Sequence, residues 1–528
     1  MSGGLLRSTA TVGAATLISR ILGFVRDVVI ARLFGAGAGT DAFFVAFKIP
    51  NFLRRLFAEG AFSQAFVPVL SEYKTLRSQA EVRLLVAAVS GTLGAILMLV
   101  TLLAVLAARP LVSVFAPGFV GDEEKFALTA EMLRLTFPYL LLISLTALSG
   151  GVLNTYGRFA IPALTPVWLN LALIAAALWL SPQFEVPVVA LAWGVLLAGV
   201  LQLAFQIPFL YRLGLLCWPR WGWQDSGVQR ILKLMLPAIF GSSVAQINLL
   251  FDTIIASFLI TGSVSWLYYS DRLVEFPLGV FGIALATVIL PSLSQRHAEA
   301  DPQAFSRTLD WALRWVLLIG LPASLGLMVL AAPVLATLFQ YGEFGHHDVN
   351  MAALSLMAYS LGLLGFMLVK VLAPGFFARQ DTRTPVRFGI YSMGINMLLN
   401  LLFVLPMVWM GINGPHAGLA LATALAAFSN ALLLFLRLRR DGVYQAQPGW
   451  GRFSLQVLIA NLLMLALLFW LNPPLADWLA WGAGQRASTL AGLVGAAIFI
   501  YIAVLLAVGI RPAMLTGRGI TRRHQGQD

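Results

Sequence analysis

The sequence predicts an all-α polytopic membrane protein with about fourteen transmembrane helices. Of its 528 residues, 59% are hydrophobic and only 11% are charged, and the mean hydropathy is +0.85. Soluble domains carry about 25% charged residues, so this composition excludes a soluble globular protein. Apolar stretches of about 20 residues, each long enough to cross a hydrocarbon layer as a helix, recur from Leu5 to Ile510. Because a backbone in lipid must satisfy its own hydrogen bonds, we expect a helical bundle.

The predicted helices fall into two groups of six and a final pair. The first group occupies windows 5–34, 41–71, 84–108, 128–153, 162–180 and 187–211, and the second occupies 231–259, 264–293, 308–331, 350–377, 385–409 and 415–437. The final pair occupies 453–472 and 487–510. The first window is too long for the apolar region of a signal peptide, and no small-residue cleavage site follows a basic region, so we expect this helix to be retained.

Basic side chains alternate from one predicted connection to the next. Lys74, Arg158 and Arg212 mark basic connections, whereas the connections between them carry acidic residues such as Glu124 and Glu185. Lysine and arginine accumulate on the cytoplasmic side of membrane proteins, so we expect a multi-pass inner-membrane protein with both termini in the cytoplasm. Topogenic charge and attraction to anionic lipids account for most of the net charge of +12 without nucleic acid.

The two groups of helices form an internal repeat. Three pairs of prolines are each 223 residues apart, namely Pro68 and Pro291, Pro110 and Pro333, and Pro162 and Pro385. Six helices per unit is an even number, so both units enter the membrane in the same direction. We therefore expect two parallel six-helix lobes related by a pseudo-twofold axis along the membrane normal, with the last two helices outside the repeat.

This repeat divides the chain into five segments. We expect an N-terminal lobe at 1–211, a cytoplasmic linker at 212–230, a C-terminal lobe at 231–440, two extra helices at 441–515 and a basic cytoplasmic tail at 516–528. Trp218, Trp221 and Trp223 stand among basic side chains in the linker. Tryptophan favours the boundary between membrane and water, so this linker is predicted to be interfacial.

Ionisable residues are concentrated inside a few predicted helices. The first helix contains Arg20, Arg26 and Asp27, the second contains Asp41, Lys48, Arg54, Arg55 and Glu59, and the eighth contains Asp271, Arg272 and Glu275. Charges in lipid are costly, and they usually face a cavity or one another. A parallel repeat would bring these helices to the lobe interface, where the cations outnumber the carboxylates and guanidinium groups suit an anionic, phosphate-bearing substrate. Ion pairing between helices, or snorkelling near helix ends, is the alternative.

A second candidate site concerns a coupling cation. Asp252 is an isolated carboxylate in the seventh helix, and Asn396 and Asn400 share one face of the eleventh. Their oxygens are candidate ligands for a cation such as Na⁺, and the carboxylate is a candidate proton acceptor. Buried asparagines that bridge helices are the alternative interpretation.

The sequence offers few candidate residues for metal binding or catalysis. The single cysteine, Cys217, cannot form an internal disulfide, and the five histidines fall mainly in connections, so no metal site, cofactor or catalytic residue is predicted. An enzyme acting on a polyprenyl diphosphate would need a catalytic group near the membrane surface. His346 and His347 beside Asp348 are the candidate group, and solvated side chains are the simpler interpretation.

Six stretches of the chain are distinctive enough to compare with known families. They are SRILGFVRD at 19–27, GAG at 35–37, TDAFFVAFKIPN at 40–51, LRRLFAEGAFSQAFVP at 53–68, YYSDRLVEFP at 268–277 and KVLAPGF at 370–376. These stretches resemble the MurJ (MviN) lipid II flippases, and the resemblance spans nearly the whole chain. It implies the fold of the multidrug/oligosaccharidyl-lipid/polysaccharide (MOP) exporter superfamily, with a groove for a prenyl tail formed by the last two helices.

The resemblance also implies a substrate and roles for the intramembrane charges. Lipid II, the undecaprenyl-diphosphate-linked peptidoglycan precursor, would pass from the cytoplasmic to the periplasmic face by alternating access. Its head group would be engaged by five cations, Arg20, Arg26, Arg54, Arg272 and Lys48. Asp27, Asp41 and Glu275 would orient these cations or take part in switching. Asp252 lies where family members differ, so the driving force is left open between Na⁺, H⁺ and the membrane potential.

Three other functions compete with the flippase on the residues alone. They are export of another lipid-linked oligosaccharide, catalysis on a polyprenyl diphosphate, and a scaffold for envelope synthesis without transport. The arginines disfavour the export of cationic drugs. We predict a transporter and not an enzyme, with lipid II, membrane lipids, and proteins of peptidoglycan synthesis and division as partners.

Overall fold

The computed structural model describes the backbone of residues 3–55 and 62–510. Within these ranges it also describes the side chains, except those of residues 3–10, 237–238, 240–246, 283–284 and 286. Glu59, one of the predicted intramembrane charges, and the predicted basic tail at 516–528 lie outside the described residues.

All regular structure in the described residues is helical, which confirms the predicted fold class. The chain begins with α1 (Gly3–Phe34), α2 (Ala38–Leu53), α3 (Ser63–Leu76), α4 (Gln79–Leu106), α5 (Ala108–Phe115), α6 (Glu123–Thr136), α7 (Tyr139–Thr155), α8 (Ala160–Ala175), α9 (Val189–Arg212) and α10 (Ser226–Ser257). It continues with α11 (Ser263–Pro277), α12 (Ile283–Ala298), α13 (Pro302–Val329), α14 (Ala331–Leu338), α15 (His346–Leu372), α16 (Pro374–Phe377), α17 (Arg383–Trp409), α18 (His416–Arg440), α19 (Trp450–Leu471), α20 (Leu475–Ala480) and α21 (Ala483–Ala507).

Eleven helical stretches in the described part of the chain are long and apolar enough to cross a membrane. The helices α1, α2 and α10, which fall in the first, second and seventh predicted windows, are not among these eleven. The protein is therefore multi-pass, and the count of about fourteen helices stays a prediction.

The chain divides into two compact units. The first consists of Met1–Ser265 with Tyr341–Phe344, and the second consists of Trp266–Gln340 with Gly345–Asp528. The division falls inside α11, so the first unit extends past residue 211 and includes α10. The lobe boundaries at 211 and 231 stay predictions.

Two of the helices that carry intramembrane charges are interrupted near prolines. In the second predicted window, α2 ends at Leu53, π-helical residues lie at 54–55 and 62, and α3 begins at Ser63. In the eighth window, α11 ends at Pro277, and a π-helical turn at Leu278–Gly282 separates it from α12. Pro50 and Pro277 lie in the last turns of α2 and α11, just before the backbone leaves the regular α-helix.

Each unit has its own packed interior. In the first, α8 packs against α1 and α9, α7 packs against α9, and α2 packs against α6. In the second, α15 packs against α13 and α18, and α17 packs against α18. The last pair, α19 and α21, packs together and rests on α13 and α14. This arrangement is compatible with a pair of helices added to a six-helix lobe.

Candidate functional site

The predicted cation Arg26 is paired with the carboxylate beside it on α1. The Arg26 Nε and Nη2 atoms donate to Asp27 Oδ1 at 2.9 and 2.7 Å, and Arg26 is only 4% exposed and Asp27 1%. Arg26 Nη1 donates to Asn170 Oδ1 on α8 at 3.1 Å, and Asn170 Nδ2 donates to Ser19 O at 3.0 Å. The guanidinium is therefore held in one orientation by two helices, as a buried charge requires.

The other predicted cations of the first unit lie in different surroundings. Arg20 is exposed on α1, two turns before Asp27. Lys48 and Arg54 are half-buried, and Arg54 Nε donates to Asn51 Oδ1 at 2.8 Å within the last turn of α2. Arg55 is exposed. Of its predicted cations, the first unit thus holds one deep in its interior, two half-buried and two exposed.

Asp41, predicted to orient or switch, is the centre of a buried polar cluster in the first unit. It accepts from Lys125 Nζ at 2.9 Å, from the Gly262 and Ser265 backbone N–H groups at 2.8 and 2.9 Å, and from Ser265 Oγ at 2.7 Å. Ser265 Oγ also lies 3.1 Å from Thr40 Oγ1. We call these five residues the Asp41 cluster. Sequence reasoning missed Lys125, although a lone lysine beside three acidic residues in a connection predicted to be periplasmic was a signal.

In the second unit, Arg272 forms an ion pair with the residue predicted to orient it. Arg272 Nη1 lies 2.7 Å from Glu275 Oε2, one helical turn further along α11, and both side chains are partly exposed. The guanidinium also lies 5.8 Å from the ring centroid of Tyr268. Glu275 thus holds Arg272 while leaving it accessible to a polar ligand.

The histidines proposed for the rival enzyme lie beside a structural tryptophan. Trp266 Nε1 donates to Asp348 Oδ1 at 2.9 Å, and Asp348 Oδ2 accepts from the Gly345 N–H at the start of α15. The ring of Trp266 is flanked by His347 and by the buried His416, whose Nε2 lies 2.9 Å from Met351 O. Asp348 therefore caps its own helix and anchors a buried indole, which are structural roles.

The residues proposed for cation coupling are divided between the two units. Asp252 is buried on α10 in the first unit. Asn396 and Asn400 are fully buried on α17 in the second, where Asn400 Nδ2 donates to Asn396 Oδ1 at 3.0 Å and Asn396 Nδ2 donates to Thr423 Oγ1 at 3.2 Å. The two asparagines thus link α17 to α18. No group of three or more His, Cys, Asp or Glu residues suited to a metal occurs in the described chain.

Another buried carboxylate, Asp310 on α13, was not singled out from the sequence. Its Oδ1 accepts from Tyr444 Oη at 2.9 Å, Gln447 N at 3.1 Å and Trp450 Nε1 at 2.6 Å, and its Oδ2 accepts from Arg314 Nε at 2.8 Å. Burial and the charge of Asp310 together raise the pKa of Tyr444 above its usual range. These contacts fasten the connection 441–449 to α13 just before α19 begins.

Arg486 at the start of α21 makes a comparable anchor with backbone oxygens. Its buried guanidinium donates to Trp478 O, Leu479 O, Ala336 O and Gln340 O at 2.8 to 3.1 Å. The planar fork of arginine suits such convergent carbonyls. It ties α21 to α20 and to the end of α14.

The described fold defines a multi-pass α-helical membrane protein. The family described as Lipid II flippase MurJ matches residues 30–482, and the chain belongs to this family. A protein of Vibrio cholerae named "Probable lipid II flippase MurJ" is 52% identical over 96% of this chain and 97% of its own length. A Burkholderia cenocepacia protein named "Lipid II flippase MurJ" is 45% identical over 95% and 96%.

Solved structures agree on the fold. One described as "Lipid II flippase MurJ, inward closed conformation" matches with a TM-score of 0.78 and 27% identity, covering 94% of this chain and 97% of its own. An inward-facing multidrug resistance MATE family transporter of the MOP superfamily matches with a TM-score of 0.65 and 15% identity, covering 82% and 98%. The second likeness concerns the fold alone. Together these findings confirm the family resemblance, and they make this chain a transporter and not an enzyme.

Proposed function

We propose that this protein translocates lipid II from the cytoplasmic to the periplasmic face of a bacterial inner membrane. The observation that carries the proposal is the similarity to named lipid II flippases along 96% of the chain. We assign the orientation with both termini in the cytoplasm from the alternation of basic connections. Transport proceeds by alternating access, and the prenyl tail stays in hydrocarbon while the polar head group crosses.

The head group is bound by the cations that the sequence singled out. Arg26 is preorganised by Asp27 and Asn170, so its guanidinium would lose little conformational freedom on binding a diphosphate. Arg272 is held by Glu275 yet remains partly exposed. Arg20, Lys48 and Arg54 complete the proposed set. A diphosphate carries charge that hydrocarbon cannot accommodate, and arginine offers bidentate donors to it.

The proposal also includes a driving force for the transport cycle. Moving one charge through 100 mV is worth about 2.3 kcal/mol, so the membrane potential is able to reset an empty cationic cavity. Asp252 is the candidate for Na⁺ or H⁺ coupling. The engagement of Asn396 and Asn400 with each other and with Thr423 favours a bridging role for the asparagines. A transport assay under imposed Na⁺, H⁺ and potential gradients, with Asp252→Ala compared with the parent, separates these driving forces.

Two kinds of partner follow from this function. Membrane lipids surround the apolar helices, and proteins of peptidoglycan synthesis and division are the expected users of the exported precursor. These protein partners would be identified by crosslinking in cells that depend on this chain.

The function is tested by making this chain the only flippase of a bacterium and then depleting it. We expect lipid II on the outer face of the inner membrane to fall while cytoplasmic lipid II accumulates. Unchanged exposure of lipid II would refute the proposal. A change confined to another lipid-linked oligosaccharide would favour the rival exporter, and breakdown of lipid II by the purified protein would favour an enzyme.

A further inference from the structure

The connection between α9 and α10 displays an aromatic surface. This connection, residues 213–225, contains no helix, and we call it the tryptophan segment. Trp218 is 89% exposed, Trp221 65% and Trp223 44%, and the rings of Trp221 and Trp223 stack at a centroid distance of 6.1 Å. Large exposed aromatic side chains clustered in this way mark a surface that meets a partner or a membrane.

The backbone of the tryptophan segment packs against α4 and is hydrogen-bonded to it. The Arg220 N–H donates to Ala87 O at 2.9 Å, and the Gly222 N–H donates to Thr92 Oγ1 at 3.0 Å. The approach is so close that a Cβ atom on Gly91 would lie 2.2 Å from Arg220 O. The glycine at position 91 therefore allows the two backbones to meet, and the segment is fixed at one height along the helix.

The charge pattern of α4 predicts that the hydrocarbon layer begins close to that height. On α4, Arg83 is the last charged residue, and residues 84–106 carry no charge. At 1.5 Å per residue, Ala87 and Thr92 lie about 5 and 12 Å beyond the start of this apolar run. A backbone at such a depth must satisfy its N–H groups within the protein, and the two hydrogen bonds to α4 do so for Arg220 and Gly222.

We infer that the tryptophan segment is a membrane-interface anchor that binds the phospholipid head groups of the leaflet predicted to be cytoplasmic. Indole rings are apolar with one polar N–H, and they favour the head-group level. Arg212 and Arg220 are both exposed at the segment, and their charge complements anionic phosphodiesters. A soluble protein partner would not require a backbone placed below the head groups. This inference does not depend on which substrate is transported.

The anchor is tested by measuring the depth of position 218 in the full-length protein. A nitroxide is attached to Trp218→Cys in a Cys217→Ala background, and the protein is reconstituted in phosphatidylcholine vesicles containing phosphatidylglycerol. We expect the ratio of oxygen to nickel-complex accessibility to be severalfold higher than at Ala298→Cys, the exposed last residue of α12. A label as accessible to nickel as at 298, or one shielded from both reagents, would overturn the inference.

Two further comparisons test separately the packing of the segment against α4 and its contacts with head groups. Gly91→Ala should displace the tryptophan segment and raise nickel accessibility at 218, whereas Gly94→Ala on the same helix should not, because nothing lies within 4 Å of its added Cβ. Equal depths of the label in Gly91→Ala and Gly94→Ala would contradict the proposed packing of the segment against α4. In the protein labelled at position 218, replacing phosphatidylglycerol with phosphatidylcholine should move the label to a shallower depth in the bilayer. The same lipid change should not move the label when Arg212→Gln/Arg220→Gln is added. If the lipid change has no effect on the parent, the proposed phosphodiester contacts are wrong.

Discussion

The Lys125 ammonium lies 2.9 Å from Asp41 Oδ2, and the two side chains are only 5% and 1% exposed. Each carboxylate oxygen of Asp41 accepts two hydrogen bonds, because Oδ2 also accepts from Gly262 N and Oδ1 accepts from Ser265 N and Oγ. The carboxylate is therefore fully satisfied. The ion pair joins the start of α2 to the start of α6, and the other bonds hold the start of α11 in the first unit.

Removing the lysine should strongly destabilise the first unit. Lys125→Met leaves Asp41 buried without its ammonium partner, a change that costs about 3 to 5 kcal/mol in such pairs. We expect a clear fall in the midpoint of thermal unfolding of the purified protein. Asp41→Asn/Lys125→Met should recover part of that loss, since it leaves no buried charge.

The exposed pair formed by Arg109 and Glu123, close by in the chain, is the control. Exposed ion pairs contribute about 0 to 1 kcal/mol, so Arg109→Gln should leave the unfolding midpoint nearly unchanged. Equal shifts for Lys125→Met and Arg109→Gln would show that the buried pair does not stabilise the fold.

The parts of the fold that could be predicted from the sequence are those that its hydropathy records. Hydropathy reports lipid-facing surface, so the helical class and most helix positions follow from it. It does not report where an α-helix ends, which explains why the second window, predicted as one helix, contains both α2, which includes Pro50, and α3.

The candidate site was predictable where both partners lie on one helix. Arg26 with Asp27 and Arg272 with Glu275 are neighbours in the sequence, and both ion pairs are present. Lys125 is 84 residues from Asp41, and no periodicity links residues across that separation. For the same reason, the contact between Asp310 and Tyr444, which are 134 residues apart, could not be predicted from the sequence.

Arg26→Lys should impair transport although it preserves the charge. Lysine has no planar fork, so it cannot bind Asp27 and Asn170 together as Arg26 does. We expect growth to fail when this variant is the only flippase, with a stability loss of about 1 to 3 kcal/mol. Normal growth with normal outer-face lipid II would remove Arg26 from the proposed binding set.

Arg486→Lys should loosen the end of the C-terminal helix pair. Lysine has three donors on one atom and cannot reach the four carbonyls that Arg486 serves, so some of these buried oxygens lose their partners at about 1 to 3 kcal/mol. We expect a lower unfolding midpoint. Arg452→Lys, at an exposed position on α19, should leave it unchanged, and indistinguishable midpoints would argue against the anchor.

Asp310→Asn should weaken the attachment of the connection 441–449, which leads into α19, to α13. Its carboxylate binds Arg314 and accepts from Tyr444, Gln447 and Trp450, so the neutral amide loses the ion pair and presents an N–H₂ group to donors. We expect faster proteolysis within 441–449. Asp441→Asn, which loses only a partly exposed pair with Arg437, is the matched control and should be cut at the parental rate.

The Tyr444 hydroxyl should make stability depend on alkaline pH. Because its pKa is raised in the folded protein, folded Tyr444 keeps its proton above the ordinary tyrosine pKa of about 10, whereas the unfolded chain loses its proton there. Its contribution to stability is therefore complete below about pH 10 and declines as the pH rises further. The difference in unfolding midpoint between the parent and Tyr444→Phe should shrink from pH 9 to pH 11. A constant difference across that range would mean that the hydroxyl is not held in its neutral form by Asp310.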